Sequence, residues 1–272
     1  MSENPTLTFD LSEFRRDLQT TRLGHPIEYL ARVTSTSDNV LDMARRGAPE
    51  GTLVVAEEQT AGRGRQGAVW YSPPGCGIWA SVLLRPRDVP LTQMPPLSMC
   101  AAYAVSTAIE QVAGVSPKIK WPNDVLLQDQ KIAGLMIETE TVLGIADELP
   151  FVILGMGINV NQTSDQFTTD LMQTATSIRS VTGQALNRML LLRRVLEHFE
   201  PVYRKFINHG FASMLEVIKS RLAWRGRLVE LVGGKSKVNG QVLDLDSDGR
   251  LIIYTDEEGR VAICSGSLHL LG

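Results

Sequence analysis

The run Gly77–Leu84 (GIWASVLL) constrains the chain more than any other stretch. It is uncharged, rich in β-branched and aromatic side chains, and predicts a buried strand. Thr52–Ala56 (TLVVA) has the same character, and shorter strand candidates follow at Ile119–Trp121, Val125–Leu127, Ala133–Thr139 and Phe151–Gly155. Helical patterns lie among them. Leu97–Ala113 is a run of small and apolar residues stopped by Gly114 and Pro117. In Asn187–Phe206, Met189, Leu192, Val195, Leu196 and Phe199 recur at three- and four-residue steps opposite Arg188, Arg193, Arg194 and Glu197, which predicts an amphipathic helix. A short helix is expected near Leu11–Leu18 and another over Asn39–Arg46. Strands and helices mix without strict βαβ alternation, so the expected class is α+β with a mixed sheet.

The last fifty residues change character. Gly233–Gly234, Asn239–Gly240, Asp248–Gly249 and Glu258–Gly259 separate short alternating runs such as Gln241–Leu245 and Arg250–Tyr254, and Asn-Gly and Asp-Gly are hairpin cues. Gly226–Gly272 therefore reads as a small all-β barrel. The expected organisation is an N-terminal extension over 1–25, a ligand-binding catalytic domain over 26–224 and a β domain over 225–272.

Composition excludes several function classes. A net charge of −3 on 272 residues argues against a general nucleic-acid binder. Cys76, Cys100 and Cys264 include no CxxC pair, and the four histidines are scattered, which fits reduced thiols in the cytoplasm and no zinc cluster. The uncharged stretches Gln66–Leu84 and Val89–Ile109 carry prolines and polar residues, so neither reads as a membrane span. No signal peptide is expected at the N-terminus.

Three segments carry chemistry. Gln59–Gly67 (QTAGRGRQG) follows the Thr52–Ala56 strand; its glycines let backbone amides approach an anion, and Arg63 and Arg65 can make charge-assisted bonds to carboxylate or phosphate. It is neither a Walker A loop nor a dinucleotide fingerprint, and a solvated surface loop is the bland alternative. Lys120–Asp124 (KWPND) is followed by Lys131–Gly134 (KIAG): a lysine can neutralise phosphate, while Asn123 and Asp124 can orient a metal, water or amine. The competing reading is a strand edge with Trp121 in the core. Gly155–Asn161 (GMGINVN) offers glycines that admit a flat ligand and, in Asn159, an amide that both donates and accepts; a glycine bulge leaving a strand is the alternative. Ser35–Ser37 and Trp70 are minor candidates: hydroxyls before a helical stretch are more often N-caps, and a lone tryptophan is more often core. No Ser–His–acid or Cys–His arrangement emerges.

Together, Ser35–Thr36, Gly62–Gly67, Lys120–Asp124, Lys131–Gly134 and Gly155–Asn159 resemble, in order and spacing, the biotin–protein ligases, from about Ile27 to the C-terminus. The resemblance implies a catalytic core like that of class II aminoacyl-tRNA synthetases followed by an SH3-like barrel. It implies ATP-dependent formation of biotinyl-5′-AMP, then transfer of biotin to a lysine of a biotin carboxyl carrier protein of a biotin-dependent carboxylase, as a biotin–[acetyl-CoA-carboxylase] ligase does. ATP and biotin are the implied substrates and Mg2+ the implied ion. By position, Ser35, Thr36, Gln59, Gly62, Arg63, Arg65, Lys131, Gly134 and Gly157 are expected to line the biotin pocket. Arg65, Trp70, Lys120, Asn123 and Asn159 are expected to hold ATP, with Trp70 on adenine and Asn159 on its edge. Arg63, Lys120, Asp124 and Lys131 are the expected catalytic residues, and Asp124 the expected metal ligand.

The sequence departs from the family pattern in two places. Ser37 stands where the family often has Asn, which removes one amide contact. Ala68 and Val69 stand where some members have basic residues, which shifts ATP binding toward Lys120 and Arg65. Lipoate ligases share the adenylation chemistry, but GRGRQG with KWPND disfavours them. About 25 residues precede the catalytic region, too few for the winged helix–turn–helix of repressor-type members, so a single-function enzyme without DNA or membrane partners is expected. A homodimer is compatible with the sequence.

Overall fold

The computed structural model describes residues 9–87, 89–140, 151–233 and 236–271. Helix α1 (Leu11–Asp17) opens the chain, capped by the Asp10 carboxylate, which accepts from Ser12 N and Glu13 N. Strand β1 (Ile27–Val33), helix α2 (Thr36–Arg45) and strand β2 (Leu53–Gln59) then form a crossover unit, and β1 and β2 pair in parallel. They join β3 (Gly77–Leu84), β4 (Lys118–Lys120), β5 (Asp124–Leu127), β6 (Gln130–Glu140) and β7 (Phe151–Asn159) in one mixed sheet, ordered β1-β2-β3-β7-β6-β5-β4. The other pairings among these seven strands are antiparallel.

β3 spans the predicted residues and is buried at every position. Its side chains alternate between two cores, as strand pleating requires. Leu83 packs with Val40 and Ala44 of α2 and with Val54, Phe151 and Ile153 on one face. Ile78, Ala80, Val82 and Leu84 join the larger core on the other, with helices α3 (Leu97–Ala113) and α5 (Arg188–His209). The short helix α4 (Ile178–Thr182) precedes α5. Each fully buried aliphatic side chain contributes ~1.5–3 kcal/mol, so exchanging the faces by a one-residue slip is strongly disfavoured. α3 ends, as its sequence predicts, at Gly114, in the left-handed conformation with φ 68°. In α5 the expected apolar positions are buried. Arg188, expected on the polar side, is buried too, because Glu57 meets its guanidinium at 2.8 and 3.0 Å.

After helix α6 (Leu215–Lys219), strands β8 (Leu228–Gly233), β9 (Ser236–Leu245), β10 (Leu251–Thr255), β11 (Gly259–Ile263) and β12 (Ser267–Leu270) form a separate antiparallel sheet ordered β11-β10-β9-β8-β12. The chain reverses near Asp248–Gly249 and Glu258–Gly259 as expected, with Gly249 at φ 79° and Gly259 at φ 72°. Asn239–Gly240 is a correction: it lies inside β9, paired with Glu230 and Val229. A Cβ on Gly240 would stand 2.8 Å from the Tyr254 carbonyl, so this glycine lets adjacent strands approach rather than turn. Gly234 and residues 1–8 lie outside the described residues. Helix α2 also begins three residues before the expected Asn39, because Thr36 and Ser37 find polar partners inside the protein.

Candidate active site

A cavity of about 790 Å³ opens over β5, β6 and β7, between the 62–70 turn and β12. Ser35, Thr36, Gln59, Arg63, Arg65, Trp70, Lys120, Asn123, Asp124, Lys131, Gly134, Gly157 and Asn159 all line it, so every residue the sequence nominated reaches this cavity except Gly62. A larger cavity of about 1050 Å³ adjoins it and contains only Arg65 and Asn123 of that set.

One end is a buried hydroxyl–amide patch. Ser35 sits at the N-cap of α2 but makes no side-chain cap bond. Thr36 donates its backbone N–H and its hydroxyl to Gln59 Oε1 at 2.9 and 3.0 Å, and its Oγ1 lies 2.7 Å from Ser81 Oγ. Ser37 Oγ is 3.1 Å from Ser81 Oγ, and Gln59 Nε2 donates to Ser72 Oγ at 2.9 Å. Sequence reading missed Ser72 and Ser81. The signal for Ser81 was present: it is the one hydroxyl in an otherwise apolar buried strand.

The turn that follows carries an aromatic ring across the sheet. Trp70 N donates to Gly62 O at 2.8 Å, and a Cβ on Gly62 would lie 2.6 Å from Trp70 O, so only glycine fits there. Gly62 thus shapes the turn from outside the cavity wall. Gln66 takes φ 56° and Gly67 φ 77° to close it. The Trp70 indole then lies over Gly134 and Gly157, which face each other across β6 and β7. A Cβ on Gly157 would stand 2.3 Å from Trp70 Cε2, and one on Gly134 2.9 Å from Cζ3. The two glycines make a flat slot that the Trp70 ring fills; of the glycines expected to admit a flat ligand, Gly157 forms it, while Gly155 lies against Ser37 Oγ instead. The Trp70 indole N–H is buried there without an acceptor.

Three cations and one central carboxylate gather around β4 and β5, and a fourth cation, Arg63, pairs with α2. Lys131 Nζ lies 2.6 Å from Asp124 Oδ1, and Lys120 Nζ 3.7 Å from Asp124 Oδ2. Burial pulls the Lys120 ammonium below its ordinary pKa, and Asp124 opposes that pull. Each lysine faces an indole: Lys131 is 5.1 Å from the Trp70 ring centroid and Lys120 5.1 Å from that of Trp224. Arg65 donates to Asn123 Oδ1 and to Gly266 O, both at 3.3 Å; burial lowers its pKa while Asp124 raises it. Arg63 is held bidentately by Asp38 at 2.6 and 2.9 Å, with Glu138 at 3.7 Å, and the Asp38 bonds raise its pKa. Asp38, Glu138 and Trp224 were not predicted.

Two amides are already engaged. Asn123 Nδ2 donates to Leu135 O at 2.9 Å. Asn159 Nδ2 donates to Thr176 O at 3.1 Å while its Oδ1 accepts from Gln162 at 2.9 Å, which leaves one N–H and one lone pair for a ligand. Asp124 does not fit a protein-built magnesium site. Two ammonium groups already flank it, and among the described residues no group of three His, Cys, Asp or Glu side chains converges.

Known proteins similar to this chain fall in one family. Residues 29–159 match the biotin/lipoate A/B protein ligase family. Over 259 residues the chain is 39% identical to the bifunctional ligase/repressor BirA of Bacillus spizizenii, covering 95% of this chain and 78% of that protein. It is 34% identical to the biotin–[acetyl-CoA-carboxylase] ligase of Mycobacterium tuberculosis, covering 88% and 86% respectively. The biotin protein ligase of Aquifex aeolicus, solved with biotin and ATP, superposes with a TM-score of 0.77 at 31% identity, over 90% of this chain and 99% of that one. The chain belongs to the biotin/lipoate protein ligase family, on its biotin protein ligase side.

Proposed function

We propose that the chain is a biotin–protein ligase that joins biotin to ATP as biotinyl-5′-AMP and then transfers the biotinyl group to a lysine of a biotin carboxyl carrier protein. The observation that carries this reading is the convergence of the 62–67 turn and the 120–124 segment on one cavity, with Arg65 bonded to Asn123.

In the first step a biotin carboxylate oxygen bonds to the α-phosphorus of ATP and the bond to pyrophosphate breaks. Two anions must meet, so fixed positive charge lowers the barrier. Arg63, Arg65, Lys120 and Lys131 supply it from two sides of the cavity. The hydroxyl–amide patch of Thr36, Ser37, Gln59 and Ser81 suits the polar end of biotin, and the outer face of the Trp70 ring, seated on Gly134 and Gly157, suits a flat ring such as adenine. Stacked there, Trp70 helps exclude water from a reactive mixed anhydride. When bound, magnesium adds charge neutralisation at the phosphates, carried by the nucleotide rather than by a protein cage.

In the second step a lysine amine bonds to the activated carbonyl carbon, AMP leaves, and the amine loses a proton. A lysine of pKa ~10.4 is only about 0.1% neutral at pH 7.4, so the site must help remove or orient that proton. Asp124 is our candidate for this role: a carboxylate that contacts two ammonium groups, at 2.6 and 3.7 Å, can orient a third by the same attraction.

We read the seven-stranded core as class II synthetase-like and the C-terminal sheet as an SH3-like barrel, supported by the mixed strand order and by β12 returning beside β8. Among the described residues no helix is long and apolar enough to cross a membrane. A cytoplasmic enzyme without DNA binding fits the net charge of −3, and a gel shift with operator-like DNA tests the second point. The deciding experiment is ATP-dependent transfer of labelled biotin to a carrier domain, with the target lysine replaced as control. Pyrophosphate release with lipoate or octanoate instead of biotin would overturn the substrate assignment.

A further inference from the structure

Trp224 belongs to no motif, yet it reaches the cavity from the junction between α6 and the C-terminal sheet. The chain delivers it there by pairing. Ile119 N donates to Arg221 O and Ala223 N to Ile119 O, each at 2.8 Å, so residues 221–223 add a short parallel edge beside β4. This register sets Trp224 next to Lys120. Its backbone then takes φ 60°, a left-handed conformation that a bulky residue holds only when its surroundings enforce it. Asp129 provides the enforcement: one carboxylate oxygen accepts from Trp224 Nε1 at 2.8 Å and the other pairs with Arg227 at 3.0 Å. The ring that results faces the Lys120 ammonium at 5.1 Å.

Lys120 needs such a partner. Its side chain is 18% exposed, and its carboxylate neighbour Asp124 stands at 3.7 Å while lying much closer, at 2.6 Å, to the Lys131 ammonium. A buried ammonium with a distant counter-ion is poorly fixed, and an indole face attracts it through the ring quadrupole without neutralising the charge it must offer to a phosphate. A carboxylate in that place would neutralise it.

We propose that Trp224 is a positioning residue for the adenylation step: its indole face holds the Lys120 ammonium toward the phosphate end of the cavity, which makes the junction to the C-terminal sheet part of the active site. This rests on the role assigned to Lys120 above. The same geometry explains why the linker is anchored at Asp129 rather than free: a mobile indole would not fix the cation.

The test replaces Trp224 in the full-length chain with tryptophan analogues carrying one to four ring fluorines, introduced at that codon alone. Fluorination drains the ring face while keeping its shape and its N–H bond to Asp129. Biotin-dependent pyrophosphate release is expected to fall progressively, to a total of about tenfold, which corresponds to ~1.4 kcal/mol, with the KM for biotin unchanged. Trp224→Leu should lose at least as much. A flat fluorination series would overturn the proposal and leave Trp224 a structural anchor. Lys120→Met separates the two layers. If it retains full adenylation, the reading of Lys120 itself is wrong; if it loses adenylation while the fluorinated series stays flat, only the role of Trp224 falls.

Discussion

Gly157→Ala offers the sharpest test of the slot beneath Trp70. Gly157 does not take a positive φ, so alanine suits its backbone and the substitution isolates a single contact. The added Cβ would stand 2.3 Å from Trp70 Cε2 and 2.4 Å from Nε1, where carbon atoms normally meet at ~3.5–4.0 Å, so the ring must retreat by more than about 1 Å. The 62–70 turn resists that movement through the Trp70 N to Gly62 O bond at 2.8 Å and the Gln59 to Ser72 bond at 2.9 Å. Overpacking of this kind costs ~1–3 kcal/mol. Trp70 is half-buried and sits on a turn at the cavity rim, so the cost should fall on site closure more than on global stability.

The expected result is a rise of about five- to 150-fold in the KM for biotin or ATP, the free-energy range above expressed as a ratio, with a melting temperature close to that of the parent. Gly134→Ala should be milder. Its Cβ would meet Trp70 at 2.9 Å and the flexible end of Lys131 at 3.1 Å, and the lysine can move. Gly233→Ala, whose Cβ would find nothing nearer than 3.8 Å, is the control. Steady-state pyrophosphate release over biotin and ATP titrations, with tryptophan emission as a monitor of the ring, reads all three. A Gly157→Ala enzyme with both KM values within twofold of the parent would refute the slot.

Asp124→Asn should slow single-turnover transfer from preformed adenylate by ~10²–10⁴ if Asp124 handles the amine proton; an unchanged rate would remove it from that role. Arg63→Ala should either cut adenylation by ~10²–10³ or release adenylate to solution, measured as free biotinyl-AMP after gel filtration; normal formation and retention would contradict the turn's assignment. For Glu57, burial pushes the carboxyl pKa up, but hydrogen bonds from Arg188 and Tyr29 outweigh this and hold it below the ordinary value. A pKa depressed by folding stabilises the protein fully above the unfolded value and loses that contribution as pH falls through the folded one. Thermal melts from pH 7 downward should therefore show an acid limb below about pH 4.5 that is flatter in Glu57→Gln. A parallel limb in both proteins would show that this carboxylate is not what titrates.

What the sequence revealed and what it hid follow from how far each interaction reaches along the chain. Gly77–Leu84 was legible because a strand buried on both faces must be apolar throughout, whatever surrounds it. β1 was not, because Ile27–Val33 sits at a sheet edge with its burial confined to a few positions, and Glu28 and Arg32 break the apolar signal. The GRGRQG and KWPND segments declared themselves because glycines and cations clustered within a few residues are locally unusual. The contacts that hold those cations were silent for the opposite reason. Asp38 lies 25 residues from Arg63 and reads simply as the acidic first turn of a helix. Trp224 lies more than a hundred residues beyond Lys120, and nothing near it suggests a ligand.

Asn239–Gly240 misled for a related reason. A glycine that relieves contact with Tyr254, a residue on the neighbouring strand, has the same local signature as one that turns the chain. Local sequence therefore names groups that line the cavity, while the contacts that hold them are fixed only by the sheet order. That division predicts where further positioning residues should be sought: on β3, β6 and the 221–224 edge, where strands far apart in sequence place single polar or aromatic side chains against the cations and hydroxyls of the motifs. Ser81, Glu138 and Trp224 occupy these places, one on each element.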